Sequence, residues 1–243
     1  MTVEERFADN AGVRIHYLDN RPDRPCGLPV LFVPGFVDRA ADYRAVLDLF
    51  GDRRLLVVDP RGRGSSDSPE TGYSAADQAG DLYAVLEDNG IERFHLMTFS
   101  RGTSFGLRLA VEHPEWVATV SIGDYLPAEI RLPPEFVEQM WATRWRGRPY
   151  PELISRVALE GVQAASVARE MWDDLGRLGL PTLVARGSDG AIIDDDRERR
   201  YRDSVPGVEV ITIPGSGHDL FRPSRTAYPE AVLEFIARRG PGT

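Results

Sequence analysis

Six short runs of apolar, largely β-branched residues recur along the chain, and longer amphipathic segments separate them. The runs are PVLFV (29–33), LLVVD (55–59), FHLMTF (94–99), VATVSIG (117–123), PTLVARG (181–187) and VEVITIPG (208–215). Consecutive apolar positions are typical of parallel strands buried on both faces. The alternation therefore predicts an α/β protein built on a mostly parallel, doubly wound sheet.

The segments between the runs carry helical spacing, most clearly in 74–89, where Ser74 predicts an N-cap and Asp77 follows three residues later. Segments 104–112 and 228–238 predict further helices. The N-terminal sequence RFADNAGVRIHYLD alternates instead, with a turn at 10–12. It predicts an antiparallel hairpin at the entry to the sheet.

The rhythm breaks between the runs at 117–123 and 181–187, in a stretch rich in Pro and aromatic residues. We predict that 126–168 form a short helical cap inserted above the sheet, while 1–125 and 169–243 form the core. Trp141, Trp145 and Tyr150 are candidates to line a substrate pocket under this cap. The alternative is that they only pack the cap against the sheet.

The 243 residues fit one α/β domain, and a net charge of −9 without a long basic stretch argues against a nucleic acid or an anionic membrane as partner. We expect a small-molecule substrate and either a monomer or a homo-oligomer. The N-terminal sequence MTVEERFADN lacks an apolar signal region, and no run of 18 apolar residues occurs, so a cytoplasmic location is the expectation.

All 29 basic residues are Arg, a bias typical of a GC-rich bacterial genome, and the absence of Lys excludes Schiff-base and Ser–Lys chemistry. Cys26 is the single cysteine, which excludes an internal disulfide and a thiolate metal cluster. We expect neither a metal nor an organic cofactor.

The segment LMTFSRGTSFG (96–106) carries the clearest chemical signal, because an apolar strand runs directly into Ser100 and then into a helix-compatible stretch. A Ser on such a strand-to-helix turn exposes its hydroxyl above the sheet, and the helix N-terminus points amides at whatever binds there. This pattern predicts a nucleophile. The alternative is an ordinary junction in which Ser100 caps the helix.

Two further loops follow strand runs. In VPGFVDR, Gly35 allows a tight turn, so that the amides of Phe36 and Arg101 could together form an oxyanion hole. The loop DPRGRGSSD (59–67) is rich in Gly but lacks the Lys and the following helix of a phosphate-binding loop, so we assign it a scaffolding role.

Among the four histidines, only His218 lies on a loop after the last run, at the sheet edge where ligands bind in open α/β folds. His16, His95 and His113 are interpreted as structural. Two acids could orient His218: Asp124 follows the run at 117–123, and Asp189 follows the run at 181–187. Both preserve the chain order Ser, Asp, His.

With these residues in place, the chain resembles the serine-nucleophile branch of the α/β-hydrolase superfamily over about 25–238. The strand-end turn, the D-x-R-G-x-G-x-S loop, the Ser elbow and the G-x-G-H loop occur in the family's order. The resemblance implies the α/β-hydrolase fold. It also implies Ser100 as nucleophile, His218 as general base and then acid, and the Phe36 and Arg101 amides as oxyanion donors.

The sequence departs from the family pattern at three places. Thr98 replaces the first Gly of the elbow, Pro34 stands where the family often has His, and Asp189 lies one position early for the family's Gly-x-x-Asp. Some members carry the acid at the end of the preceding strand, which matches Asp124. Asp124 is therefore the preferred acid and Asp189 the alternative.

The resemblance implies hydrolysis of a small or medium ester, lactone or thioester through an acyl-enzyme. Ser at position 100 argues against epoxide hydrolase and haloalkane dehalogenase chemistry, which uses a carboxylate nucleophile. Two alternatives remain open on the same fold. One is a lyase, cyclase or C–C bond-cleaving enzyme of secondary metabolism, and the other is a non-catalytic ligand receptor.

Overall fold

The computed structural model describes residues 3–239, and its centre is an eight-stranded sheet. The strands are β1 Glu4–Asn10, β2 Val13–Asp19, β3 Val30–Val33, β4 Leu55–Val58, β5 Phe94–Phe99, β6 Val117–Gly123, β7 Thr182–Gly187 and β8 Glu209–Ile213. Their order across the sheet is β1-β2-β4-β3-β5-β6-β7-β8. The hairpin β1–β2 joins β4 in antiparallel fashion, and every later pairing is parallel. The predicted sheet, with its antiparallel entry, is confirmed.

Helices flank this sheet on both faces. Over residues 3–239 the α-helices are α1 Arg44–Phe50, α2 Ala75–Asp88, α3 Gly102–Glu112, α4 Phe136–Trp141, α5 Arg156–Ala165, α6 Trp172–Leu178, α7 Asp195–Ser204 and α8 Ala227–Arg239. The predicted start of α2 is confirmed: Ser74 Oγ accepts from the Asp77 amide at 3.1 Å, and Asp77 accepts from the Ser74 amide at 2.9 Å. None of these helices has both the length and the apolar character that a membrane crossing requires.

The buried side chains form one apolar cluster on each face of the sheet. Helices α2, α3, α6 and α7 contribute to the first, and α1 and α8 contribute to the second. Central strands such as β3, β4 and β5 supply alternate side chains to the two clusters; in β5, Leu96 faces the first and Met97 the second. This burial on both faces explains why the strand runs are continuously apolar.

The chain between β6 and β7 builds a separate layer with its own small apolar cluster. Val137 of α4, Tyr150, and Leu159 and Val162 of α5 belong to this cluster. An antiparallel pair, Ala128–Glu129 with Arg169–Glu170, closes the base of the layer. The layer is not purely helical, because a hairpin pairs Arg144–Trp145 with Arg148–Pro149. A cap at 126–168 remains a prediction, which this packing supports.

The parallel register brings several loops to one edge of the sheet. Val33 pairs with Thr98, and Phe99 pairs with Gly123, so β3, β5 and β6 end side by side. The residues that follow them, beginning with Pro34, Ser100 and Asp124, therefore share that edge. The loop after β8 returns to the same edge and carries His218.

Candidate active site

Ser100 occupies a tight turn between β5 and α3, with a positive φ of 51°. A positive φ is uncommon for a residue other than Gly, and here the amide of Ser100 is held by the carbonyl of Gly123 at 2.8 Å. Gly102 allows α3 to approach the end of β3. A Cβ at this position would lie 2.2 Å from the Pro34 carbonyl oxygen and 2.4 Å from that of Val33. The turn thus lifts the Ser100 side chain above the sheet edge.

The structure brings together the side chains of Ser100 and His218. Ser100 Oγ and His218 Nε2 are 2.9 Å apart. The imidazole stacks on the ring of Phe99, with centroids 5.4 Å apart and an interplanar angle of 24°. This stacking restrains the ring orientation and keeps Nε2 aimed at the hydroxyl.

Asp124 lies on the other side of the imidazole and is fully buried. Its Oδ2 is 2.8 Å from His218 Nδ1, and its two oxygens also accept the amides of Ile192 at 2.8 Å and Ile193 at 3.0 Å. An ionised carboxylate only accepts, so Nδ1 donates to Asp124. In the neutral imidazole, Nε2 is then free to accept the Ser100 proton.

The structure does not bring Asp189 to His218. Its side chain is exposed, and its carboxylate accepts from the Ser188 hydroxyl at 2.9 Å. Its amide donates to the Ser216 carbonyl at 3.1 Å, which attaches this turn to the loop that carries the histidine. The geometry therefore separates the two candidate acids: Asp124 contacts the imidazole, whereas Asp189 supports the loop.

The amides of Phe36 and Arg101 border the same site. Within residues 3–239, neither N–H has a hydrogen-bond acceptor from the protein itself. The turn that carries Phe36 is anchored from the 59–67 loop, because Arg63 Nε donates to the Phe36 carbonyl at 2.9 Å. Burial, together with the charge of Arg101, lowers the pKa of Arg63 to about 9. The loop acts here as a scaffold.

A cavity of about 120 Å³ lies between Ser100, His218 and the layer that the chain builds between β6 and β7, the predicted cap. Trp145 and Tyr150 line it, whereas Trp141 does not. Trp141 ends α4 and packs within the cap cluster, where its ring lies 5.2 Å from the guanidinium carbon of Arg156. The cavity is small beside the 300–1,000 Å³ typical of sites for drug-sized ligands. Wider clefts lie away from Ser100 and His218.

Two acids at this site were not predicted from the sequence. Asp38 lies two residues after Phe36, is buried and lines the cavity, and Asp219 follows His218 directly. Both contact the cap residue Arg146. The signal for Asp38 was its place three residues after Gly35, since a carboxylate there can accept the amide that starts the turn.

Comparison with known proteins agrees with this architecture. Residues 29–122 match a family model described as the alpha/beta hydrolase fold. The provisionally named carbamate hydrolase RutD of Variovorax paradoxus is 26% identical over 246 residues, which cover 87% of this chain and 92% of the relative. The 2-(acetamidomethylene)succinate hydrolase of Mesorhizobium japonicum is 23% identical over 252 residues, with coverage of 89% and 91%.

Among solved structures, Est816, described as an N-acyl homoserine lactone degrading enzyme, superposes with a TM-score of 0.73 at 24% identity and covers 95% of this chain and 100% of its own. The predicted fold class is therefore confirmed as the α/β-hydrolase fold. The chain is similar to proteins of the α/β-hydrolase superfamily, and the relatives that it matches include hydrolases of several kinds.

Proposed function

We propose that the protein is a serine hydrolase that cleaves a small or medium ester, lactone or thioester through an acyl-enzyme intermediate. The observation that carries the proposal is the continuous chain of contacts from Ser100 Oγ to His218 at 2.9 Å and on to Asp124 at 2.8 Å. A hydroxyl, an imidazole and a buried carboxylate in this order are the groups that acyl transfer requires.

In the first half-reaction, Ser100 Oγ forms a bond to the acyl carbon while its proton passes to His218 Nε2. The carbonyl π-electron pair moves onto oxygen, where the Phe36 and Arg101 amides stabilise the oxyanion. One such donor typically lowers the barrier by about 3 kcal/mol. The bond to the leaving oxygen or sulfur then breaks, and the leaving group takes the proton from Nε2.

In the second half-reaction, water attacks the acyl-enzyme and His218 accepts its proton at Nε2. Collapse of the second tetrahedral intermediate releases the acid and returns the proton to Ser100. Asp124 accepts from Nδ1, and this contact holds the tautomer in which Nε2 is the base and stabilises the imidazolium in each half-reaction. Its buried position and its two backbone donors keep the carboxylate in one orientation.

The cavity and the relatives both favour small acyl substrates. A volume of about 120 Å³ suits a short acyl group, and Trp145 and Tyr150 give the wall an aromatic surface. The relatives are named for action on a carbamate, on 2-(acetamidomethylene)succinate and on an N-acyl homoserine lactone, all of which contain an acyl carbon. Carbamates therefore belong in the substrate panel beside esters, lactones and thioesters.

Turnover of p-nitrophenyl esters with acyl chains of two to eight carbons tests the proposal. We expect turnover to be greatest for the short chains. In Ser100→Ala it should fall by about 10⁶-fold, to the assay background. Ser65→Ala replaces an exposed serine on another loop and serves as the matched control. Equal turnover in Ser100→Ala and Ser65→Ala would overturn the assignment of the nucleophile.

A further inference from the structure

The hairpin formed by 144–149 places the cap against the candidate active site. Trp145 lies on its first strand and Tyr150 directly follows its second, and both line the cavity. The turn at Arg146 and Gly147 has positive φ values of 47° and 80°. Two paired residues on each strand are too few to hold a hairpin in place alone, so its position depends on what holds the turn.

Arg146 holds that turn through two carboxylates of the core. Its Nε and Nη2 donate to the two oxygens of Asp219, each at 2.7 Å, and its Nη1 lies 3.3 Å from Asp38 Oδ1. The Arg146 side chain is only 13% exposed. A bidentate arginine–carboxylate pair fixes the mutual orientation of its two groups, which a single-point surface ion pair does not.

The two carboxylates belong to the elements that carry the proposed chemistry. Asp38 Oδ2 accepts the Gly35 amide at 3.2 Å and so fixes the turn that presents the Phe36 amide. Asp219 is the neighbour of His218. Asp38 Oδ1 also accepts the indole N–H of Trp145 at 2.6 Å, so that the hairpin contacts the same carboxylate twice.

The buried carboxylate of Asp38 depends on Arg146 for the neutralisation of its charge. Asp38 is 1% exposed, and over residues 3–239 its one ion-pair partner is Arg146. Burial raises the pKa of Asp38, whereas Arg146 and the Tyr43 hydroxyl favour the ionised form. Removal of the guanidinium would leave a buried carboxylate without a cation, an arrangement that proteins relieve by rearranging or by protonation.

We propose that Arg146 is a positioning residue that couples the position of the 144–149 hairpin to the placement of the Phe36 amide and the His218 ring. Arg146 does not line the cavity and acts through Asp38 and Asp219. The consequence for catalysis rests on the proposed function, whereas the mechanical coupling does not.

Arg146→Met tests the coupling, and Arg148→Met is its control. Arg148 lies on the same hairpin but is more exposed, with its nearest carboxylates 3.8 Å away. In Arg146→Met we expect faster amide hydrogen exchange at 143–150 and also at 34–38 and 216–221. Arg148→Met should leave the last two segments unchanged. Exchange that rises only at 143–150, or equally throughout the chain, would overturn the coupling.

The kcat values of the Arg146 variants give a second test, because a residue that only stabilises the fold would not change kcat below the melting temperature. Below the melting temperature of each variant, we expect kcat for a short ester to fall about 10- to 100-fold in Arg146→Met, since misplacement by about 1 Å can cost 100-fold. Arg146→Lys should recover part of this loss, because an ammonium restores the charge but not the two parallel bonds. Wild-type kcat in Arg146→Met would contradict the positioning role. If the wild-type protein itself hydrolyses nothing, the proposed function fails, and hydrogen exchange still decides the coupling.

Discussion

Gly106 of α3 faces Thr98 of β5 so closely that a Cβ at Gly106 would lie 2.8 Å from Thr98 Cγ2. Thr98 is the residue that replaces the first Gly of the family's elbow. Its hydroxyl lies 2.9 Å from that of Thr103 at the start of α3. The extra side chain on the strand is thus accommodated by a glycine on the helix, and the turn at Ser100 keeps its shape.

This pairing predicts non-additive effects on stability. Gly106→Ala should lower the free energy of unfolding by about 1–3 kcal/mol, the usual cost of overpacking. Thr98→Ser removes Cγ2 but keeps the hydroxyl, so Gly106→Ala in the Thr98→Ser background should cost less. Part of the cost should remain, because Leu96 Cδ1 would still lie 3.1 Å from the added Cβ. Urea denaturation of the four proteins measures this coupling, and additive effects would refute it.

Substitution of the two candidate acids separates their roles. Asp124→Asn should reduce kcat by about 10⁴-fold, because one accepting oxygen becomes an NH₂ donor, which no longer holds the His218 tautomer in which Nδ1 donates and which opposes a backbone amide donor. Asp189→Asn, the matched change at an exposed position, should stay within a few-fold of wild type. Steady-state kinetics on one short ester decides between them. A larger loss in Asp189→Asn than in Asp124→Asn would reverse the assignment.

We expect the buried His95 to make the protein less stable in mild acid. It is buried in β5 at 1% exposure, and burial together with the charges of Arg53 and Arg93 lowers its pKa from 6.5 to about 4. Between pH 6.5 and pH 4, the His95 imidazole is protonated in the unfolded chain but neutral in the folded protein. The contribution of His95 is therefore fully present above pH 6.5 and is lost as the pH falls towards 4, by about 3 kcal/mol.

Asparagine substitutions isolate this effect from the titration of the carboxyl groups. His95→Asn should lose less stability than wild type between pH 7 and pH 4, whatever its stability at neutral pH. His113→Asn alters a partly exposed histidine that stacks on Tyr83 and should keep the wild-type slope. Chemical denaturation at a series of pH values gives the slopes. Parallel curves for wild type and His95→Asn would show that His95 is not the source.

The fold followed from the sequence because its strands are buried on both faces. Such strands read as uninterrupted apolar runs, and the predicted run at 94–99 coincides with β5. The edge strand β8 was predicted to be longer than it is, since Pro214 and Gly215 lie beyond its last paired residue, Ile213. Local chemistry also located the start of α2 at Ser74, where a capping box needs only neighbouring residues.

The site was only partly predictable, since its decisive contacts join distant parts of the chain. Asp124 and Asp189 both follow strands that end at the right edge, so strand register alone could not separate them. The difference arises from the amides of Ile192 and Ile193, which turn back onto Asp124. The contact of Arg146 with Asp38 spans the cap and the core, and no local pattern indicates it.

The most direct test of the central claim is the intact mass of the protein after treatment with a fluorophosphonate. An activated Ser100 should take up one adduct in wild type and none in Ser100→Ala, while the Ser65→Ala control should be labelled like wild type. His218→Asn should be labelled far more slowly, since Ser100 then lacks its base. No adduct on wild type, or an adduct that persists in Ser100→Ala, would contradict the account.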